Sequence, residues 1–437
     1  MTTGRKLFGT DGVRGEVGAF LNAELAISLG RAAAASLEPP CPQILIVRDT
    51  RESGPMLEAA LAAGIAEAGG DALLGGVLPT PAAAVLVKRL GLDLAAVVSA
   101  SHNPYRDNGI KFFSASGTKL DDAAEAGIEA LIAESSPAAE PGAVRELNGG
   151  LEDYLRALEA HFPLDLSGLR VMLDCANGAT FRAAPEIFER LGAEVEAIAA
   201  EPDGRNINDG CGSTHLESLA ERIAGSTATV GFAFDGDGDR VLAVDGAGRM
   251  HDGDELIALR AAGMAARGEL EGGVAVTVMS NYGFHKAMEG AGIEVAVTKV
   301  GDRYVLEELR ERGWSLGGEQ SGHVIDTRFA ATGDGIAAAL ATMRELAGRD
   351  LASATPMEKL PQKLVNVKVA DRDAVADAAA VWDAVEREGA ALEGRGRVLL
   401  RPSGTEPLVR VMAEAPSAEE AEAVCERLVG IVRRELA

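Results

Sequence analysis

Three carboxylates at a spacing of two, Asp235-Gly236-Asp237-Gly238-Asp239-Arg240, open the chemical reading of the chain. In extended backbone that spacing turns all three to one side, and the intervening glycines let the chain curl until the oxygens converge. Clustered carboxylates repel one another unless a cation joins them, and hard divalent metals prefer oxygen ligands. An EF-hand loop needs Gly at its sixth position and Glu at its twelfth. Arg240 and Gly246 stand there instead, so that reading fails. A solvated acidic turn is the plain alternative. A metal loop is favoured over it, because Asp-Gly alternation directly behind the apolar run Thr227–Phe234 is rare by chance.

Three more polar segments could do chemistry. Ser99-Ala100-Ser101-His102-Asn103-Pro104 follows the apolar run Leu94–Val98, so its hydroxyls stand at a strand end. A serine beside a histidine can be a nucleophile, although Ser, Asn and Pro are also ordinary cap and turn residues. Gly317-Gly318-Glu319-Gln320-Ser321-Gly322-His323 offers carboxylate, amide, hydroxyl and imidazole, a set suited to a polyhydroxyl ligand and to acid/base work near neutral pH, or equally a plain polar loop with a hydrogen-bonded histidine. Arg401-Pro402-Ser403-Gly404-Thr405-Glu406-Pro407, with Arg410 beyond it, has the guanidinium and hydroxyl donors of a phosphate clamp. A Pro/Gly turn between two strands is its plain alternative. Gly9–Gly15 adds a Gly-rich loop holding Arg14, and Lys111 follows shortly after Ser101, where a solvated lysine is the commoner fate.

The elements that must position these segments follow βαβ grammar. Gln43–Val47, Ala72–Val77 and Leu94–Val98 read as strands, with a helix over Met56–Ala68. Leu169–Asp174, a helix over Phe181–Leu191, Glu194–Ile198 and Thr227–Phe234 repeat the pattern. Val274–Met279, a helix over Phe284–Glu289, Ile293–Val297 and Trp314–Leu316 repeat it again. Parallel sheets covered by helices are expected, with ligands at the carboxyl ends of strands. Leu364–Val369 then alternates like a half-buried strand, and Ser417–Ala437 reads as a helix capped by Ser417 and Glu420. Ser135–Gly142 and the Gly/Asp-rich Val244–Gly253 read as connectors, and Pro356–Pro361 precedes the change of character.

Composition bounds the partners. The 437 residues carry 42 Lys+Arg and 67 Asp+Glu, a net charge of -25. That disfavours binding to nucleic acid or to an anionic membrane. The four cysteines form no CxxC pair, which argues against a zinc ribbon. No GxxxxGK[ST], HExxH or GxSxG segment occurs. The opening MTTGRKLFGTDG lacks the apolar stretch of a signal peptide, and no apolar run approaches the ~18 residues of a membrane span. A cytoplasmic protein is expected. Glycine, 52 residues, stands above the usual share of about 7%.

In their order, and over essentially the whole chain, the segments SASHNP, DGDGDR, GEQSGH and RPSGTEPLVR resemble those of the α-D-phosphohexomutase superfamily. The resemblance implies three similar α/β domains plus a smaller C-terminal α+β domain around a central cleft, over residues 1–150, 151–252, 253–362 and 363–437. FGTDGVRG, the stretch Asn206–His215 and Gln320 fit the bacterial branch acting on glucosamine phosphates; Leu216 departs from it, where proline is expected.

The roles the resemblance implies are these. Ser101 carries a phosphoryl group, supported by His102, and one Mg²⁺ per active site is held by Ser101, Asp235, Asp237 and Asp239. Arg240 contacts the phosphoryl group, and Lys111 and His323 are the candidate acid/base groups. Glu319 and Ser321 hold sugar hydroxyls; Arg14 adds positive charge; Arg401, Ser403, Gly404, Thr405 and Arg410 grip the phosphate that is not reacting. The implied activity interconverts glucosamine 6-phosphate and glucosamine 1-phosphate through a bisphosphosugar, for UDP-N-acetylglucosamine and cell-wall precursors, in a monomer or homodimer. A phosphoglucomutase or phosphomannomutase, a phosphatase and a silent sugar-phosphate binding protein are the rival readings. An acidic protein repels an anionic substrate, so binding must rest on a local positive site.

Overall fold

The computed structural model describes residues 7–9, 11–38, 40–134, 136–402 and 407–436. The chain divides into two compact units, residues 1–279 with 293–355, and residues 280–292 with 356–437. The first unit holds three sheets. In one, the strands run Val13–Glu16, Asp107–Ser114, Leu94–Val98, Gln43–Arg48, Asp71–Val77, Val144–Glu146. In the second the order is Met250–His251, Val241–Asp245, Val230–Phe234, Arg170–Asp174, Glu194–Ile198. The third runs Val295–Thr298, Val274–Thr277, Leu316–Gly318, Val324–Asp326.

Central strands such as Leu94–Val98 and Val230–Phe234 are buried along their whole length, which is why they read as continuous apolar runs rather than alternating ones. Ile44, Ile46, Ala96, Val98 and Phe112 pack into one core with the helices Ala23–Ala35 and Gly54–Glu67. Those two helices touch through glycine: a Cβ at Gly64 would lie 2.0 Å from Ile27 O, and one at Gly30 2.2 Å from Leu61 O. Part of the high glycine content is thus spent on helix contact rather than on loops.

The expectation of parallel sheets needs correction: all three are mixed. Asp107–Ser114 returns antiparallel to Leu94–Val98, Val241–Asp245 to Val230–Phe234, and Val324–Asp326 to Leu316–Gly318. Each polar segment of the first unit is therefore the bend between a strand and its antiparallel return. Val244–Gly253 is no loose connector. It is a hairpin from Val241–Asp245 to Met250–His251, followed by the helix Gly253–Ala266 under an Asp252/Glu255 capping box.

The second unit pairs Gln362–Lys368 and Arg397–Pro402 antiparallel to the central strand Leu408–Glu414. The helices Ala379–Ala391 and Ala418–Leu436 contribute Val381, Ala384, Val424, Leu428 and Val432 to its core. Ser417 Oγ accepts from Glu420 N–H at the start of the last helix. No helix among the described residues is long and apolar enough to cross a membrane.

Candidate active site

Three bends of the first unit meet. Ser101 lies in the bend after Leu94–Val98, buried, and in the left-handed region at φ 52°. Its hydroxyl donates to Asp235 Oδ2 at 2.5 Å and lies 3.3 Å from His102 Nδ1. Burial first, then the positive charges of Arg240 and Arg14, lowers the affinity of His102 for a proton.

Asp235, Asp237 and Asp239 are all buried, and one oxygen of each lies within 4.8 Å of the others. The bend closes because Gly238 takes φ 75° and Gly236 backs onto Ser101, where a Cβ would sit 2.6 Å from the Ser101 carbonyl oxygen. Among the described residues, Asp237 Oδ1 and Asp239 Oδ1 are buried without a hydrogen-bond partner. Orphaned carboxylate oxygens of this kind are costly and suit a hard divalent cation, so the residues present fit a metal. Burial and the Asp239 and Asp237 charges push the Asp235 carboxyl well above its ordinary value. Burial also opposes ionisation of Asp239, but His323, Lys111 and Arg240 outweigh it and hold that group well below the carboxylate range.

Lys111 is buried, not solvated. It comes from the return strand Asp107–Ser114 and donates to Asp237 Oδ2 at 2.7 Å, with Asp11 and Asp239 each at 3.8 Å. Burial opposes its charge; Asp11, Asp237 and Asp239 overcome that and raise its pKa. Arg240 reaches Asp239 only at 3.9 Å, and its Nε, like that of Arg14, is buried without a partner among the described residues. Both arginines therefore keep donors free for an anion.

In the third bend Glu319 Oε1 accepts from Gly301 N–H at 3.0 Å, Gln320 donates to Asp252 at 3.1 Å, and Ser321 is exposed. His323 is buried between Asp239 (3.7 Å) and Asp302 (3.4 Å). Burial disfavours its cation and the two carboxylates favour it, raising its pKa. Gly333 N–H donates to Nε2 at 2.9 Å, however, which needs a lone pair there. With that bond made the ring is neutral, its proton on Nδ1 toward Asp239.

Several site residues escaped the sequence reading. Thr80 donates to Asp237 Oδ2 at 2.6 Å from the start of the helix Thr80–Leu90. Lys119 bridges Asp11 and Asp302, and Asp11 also pairs with Arg14. Asp11 lies inside the Gly9–Gly15 segment already marked by Arg14, which was a usable signal. Nothing in the spacing pointed to Thr80, Lys119 or Asp302.

The fourth segment belongs to the second unit. Arg401 and Arg410 are direct cross-strand partners. Burial, and then Arg410, lowers the pKa of Arg401. Arg410 Nε is buried without a partner among the described residues. Two like charges held opposite each other are unfavourable until an anion joins them. Ser403, Gly404 and Thr405 lie outside the described residues.

Family models of phosphoglucomutase/phosphomannomutase match the chain in four parts. They are α/β/α domain I over residues 5–139, domain II over 152–248, domain III over 252–367 and the C-terminal domain over 364–431. The chain belongs to this family, the α-D-phosphohexomutases. Within it, the chain is similar to bacterial phosphoglucosamine mutases. It is 50% identical over 438 residues to that of Desulforudis audaxviator, covering 98% of this chain and 97% of the relative. It is 51% identical to that of Nocardioides sp. over 445 residues, covering 99% of each. A solved phosphoglucomutase/phosphomannomutase family protein from Burkholderia thailandensis superposes with a TM-score of 0.83 at 25% identity, over 98% of this chain and 97% of that one.

Proposed function

We propose that this enzyme is a phosphoglucosamine mutase, interconverting glucosamine 6-phosphate and glucosamine 1-phosphate. The carrying observation is the Ser101 hydroxyl, buried and 2.5 Å from Asp235 inside a three-carboxylate cluster. Ser101 enters the cycle phosphorylated. The substrate O1 attacks that phosphorus, the P–Oγ bond breaks, and the hydroxyl proton leaves to a basic group, giving glucosamine 1,6-bisphosphate. After the sugar turns around, Ser101 Oγ attacks the phosphorus on O6, the P–O6 bond breaks and O6 regains a proton. Glucosamine 1-phosphate and phospho-Ser101 result.

Phosphoryl transfer asks a protein mainly for positioning and charge neutralisation. Asp235, Asp237, Asp239 and the phosphoserine would hold a Mg²⁺, which when bound offsets negative charge on the transferring group. Arg240 and Arg14 direct their free donors to the same group. Lys111, held as a cation, and His323 are the groups for proton transfer, with His102 beside Ser101. Glu319 and Ser321 hold sugar hydroxyls. Arg401, Ser403, Gly404, Thr405 and Arg410 grip the idle phosphate. We place the domains at 1–150, 151–252, 253–362 and 363–437, and the enzyme in the cytoplasm as a monomer or homodimer. Its product serves UDP-N-acetylglucosamine synthesis.

Mass spectrometry of the purified protein should find phosphate on a peptide containing Ser101, and Ser101→Ala should abolish turnover in a coupled assay. Full activity of that variant ends the covalent mechanism. Comparing kcat/KM for glucosamine, glucose and mannose phosphates on phosphorylated protein tests the sugar; a preference for glucose or mannose phosphate overturns the assignment.

A further inference from the structure

Ser101 is not a glycine, yet it holds φ 52°, a conformation that L-residues leave unless their surroundings over-determine it. The restraints act on both sides of the residue. Ser101 N–H donates to Ser99 Oγ at 3.0 Å, and Ser99 Oγ donates to Asp49 at 2.6 Å. On the other side the Ser101 carbonyl accepts from Arg51 Nη2 at 2.8 Å and from Asn208 Nδ2 at 2.9 Å.

Arg51 is fully buried, and its guanidinium makes five bonds. Nε donates to Asp49 Oδ2 at 2.8 Å, and Nη2 to the carbonyls of Ser101 and Asn103, each at 2.8 Å. Nη1 donates to the carbonyls of Asp107, at 2.9 Å, and Pro104. A guanidinium has five N–H donors in a planar fork, so none is left over for a substrate. The ring Ser99–Asp49–Arg51–Ser101 closes on itself. Asn208, itself at φ 58°, adds a second grip on the carbonyls of Ser101 and Asn103 from the stretch Asn206–His215.

Topology makes this arrangement available. Gln43–Arg48 and Leu94–Val98 are parallel neighbours, so the residues after them, Asp49–Arg51 and Ser99–Ser101, emerge side by side at the same carboxyl edge.

We propose that Arg51 and Asn208, with Asp49 and Ser99 behind them, are positioning residues. They clamp the Ser101 peptide in its left-handed conformation and thereby keep the hydroxyl aimed at Asp235. The clamp acts on the orientation of the nucleophile and touches no substrate, so it governs kcat rather than KM. The proposal rests on Ser101 being the phosphoryl carrier.

The test uses full-length enzyme, its phosphoserine content measured by intact mass, with glucosamine 6-phosphate as substrate. Arg51→Lys keeps the charge but offers three donors for five acceptors, and should lower kcat about 100-fold, the cost of misplacing a reacting group by about 1 Å. Asn208→Ala removes one grip of two and should lower kcat about 10-fold. It serves as the readout if Arg51→Lys does not fold. In each soluble variant KM should stay within about twofold, since uniform binding is untouched. Wild-type kcat in the soluble variants, or a loss residing in KM, overturns the clamp. Ser101→Ala runs alongside. If it turns over normally, the covalent reading has failed. If it is dead while the clamp variants are normal, only the clamp has failed.

Discussion

The bend at Ser101 and the strand pair at Arg401 handle charge in opposite ways. Around Ser101 opposite charges are interleaved: Lys111 lies among Asp11, Asp237 and Asp239, and Lys119 bridges Asp11 and Asp302, while the neutral His323 ring sits between Asp239 and Asp302. The protein neutralises much of this region itself and, among the described residues, leaves one buried oxygen each of Asp237 and Asp239 without a hydrogen-bond partner. At the strand pair two guanidinium groups of one sign face each other. The first region is organised before ligand arrives. The second carries a repulsion that only an anion relieves.

The largest expected effect concerns the first region. Chelating divalent metal, or replacing Asp237 by Asn, should lower kcat by about 10³-fold or more, because uncompensated charge remains on the transferring group. Mg²⁺ should restore the chelated wild type. Wild-type turnover in a rigorously chelated sample would break the contrast. Next, Arg410→Gln should raise KM about 10–100-fold, the cost of a charge-assisted contact. The same variant should leave the unliganded protein as stable or stabler by a few tenths of a kcal/mol, read from thermal melts without substrate. A clear loss of stability would show the two arginines to be structural partners.

Acid sharpens the contrast from another side. Burial, and then Arg397, lowers the pKa of His285 in the second unit to about 4, against 6.5 in an unfolded chain. The unfolded state therefore binds more protons between those values. Stability should be complete above pH 6.5 and fall as pH drops toward 4; His285→Gln should flatten that slope in pH-resolved denaturation. The last effect is local strain. Ser101→Gly and Ser101→Ala should both be inactive, but the glycine variant should be stabler by about 1 kcal/mol, since only glycine takes φ 52° freely. Equal melting points would mean that the bend costs nothing.

The strand Leu94–Val98 was legible to the residue, because a strand buried on both faces must be apolar throughout. Its return, Asp107–Ser114, was not legible, and with it the burial of Lys111. That segment begins Asp-Asn-Gly and carries a lysine, a turn-like composition that only pairing on both sides turns into an interior strand. The metal loop could be read from three aspartates at fixed spacing. Arg51 could not: its five acceptors lie in Asp49 and in the distant segment 101–107.

By itself the sequence determined the buried core strands such as Leu94–Val98, the family and the chemical content of the four polar segments, since these depend on composition and spacing along the chain. Tertiary structure alone decided which carboxylates Lys111 and His323 would face, which donors would hold Ser101 in a left-handed bend, and that Arg401 would stand opposite Arg410. The reason is physical. Apolar periodicity records whether a residue is buried, but pairing energies and proton affinities depend on distances across strands that are remote in sequence.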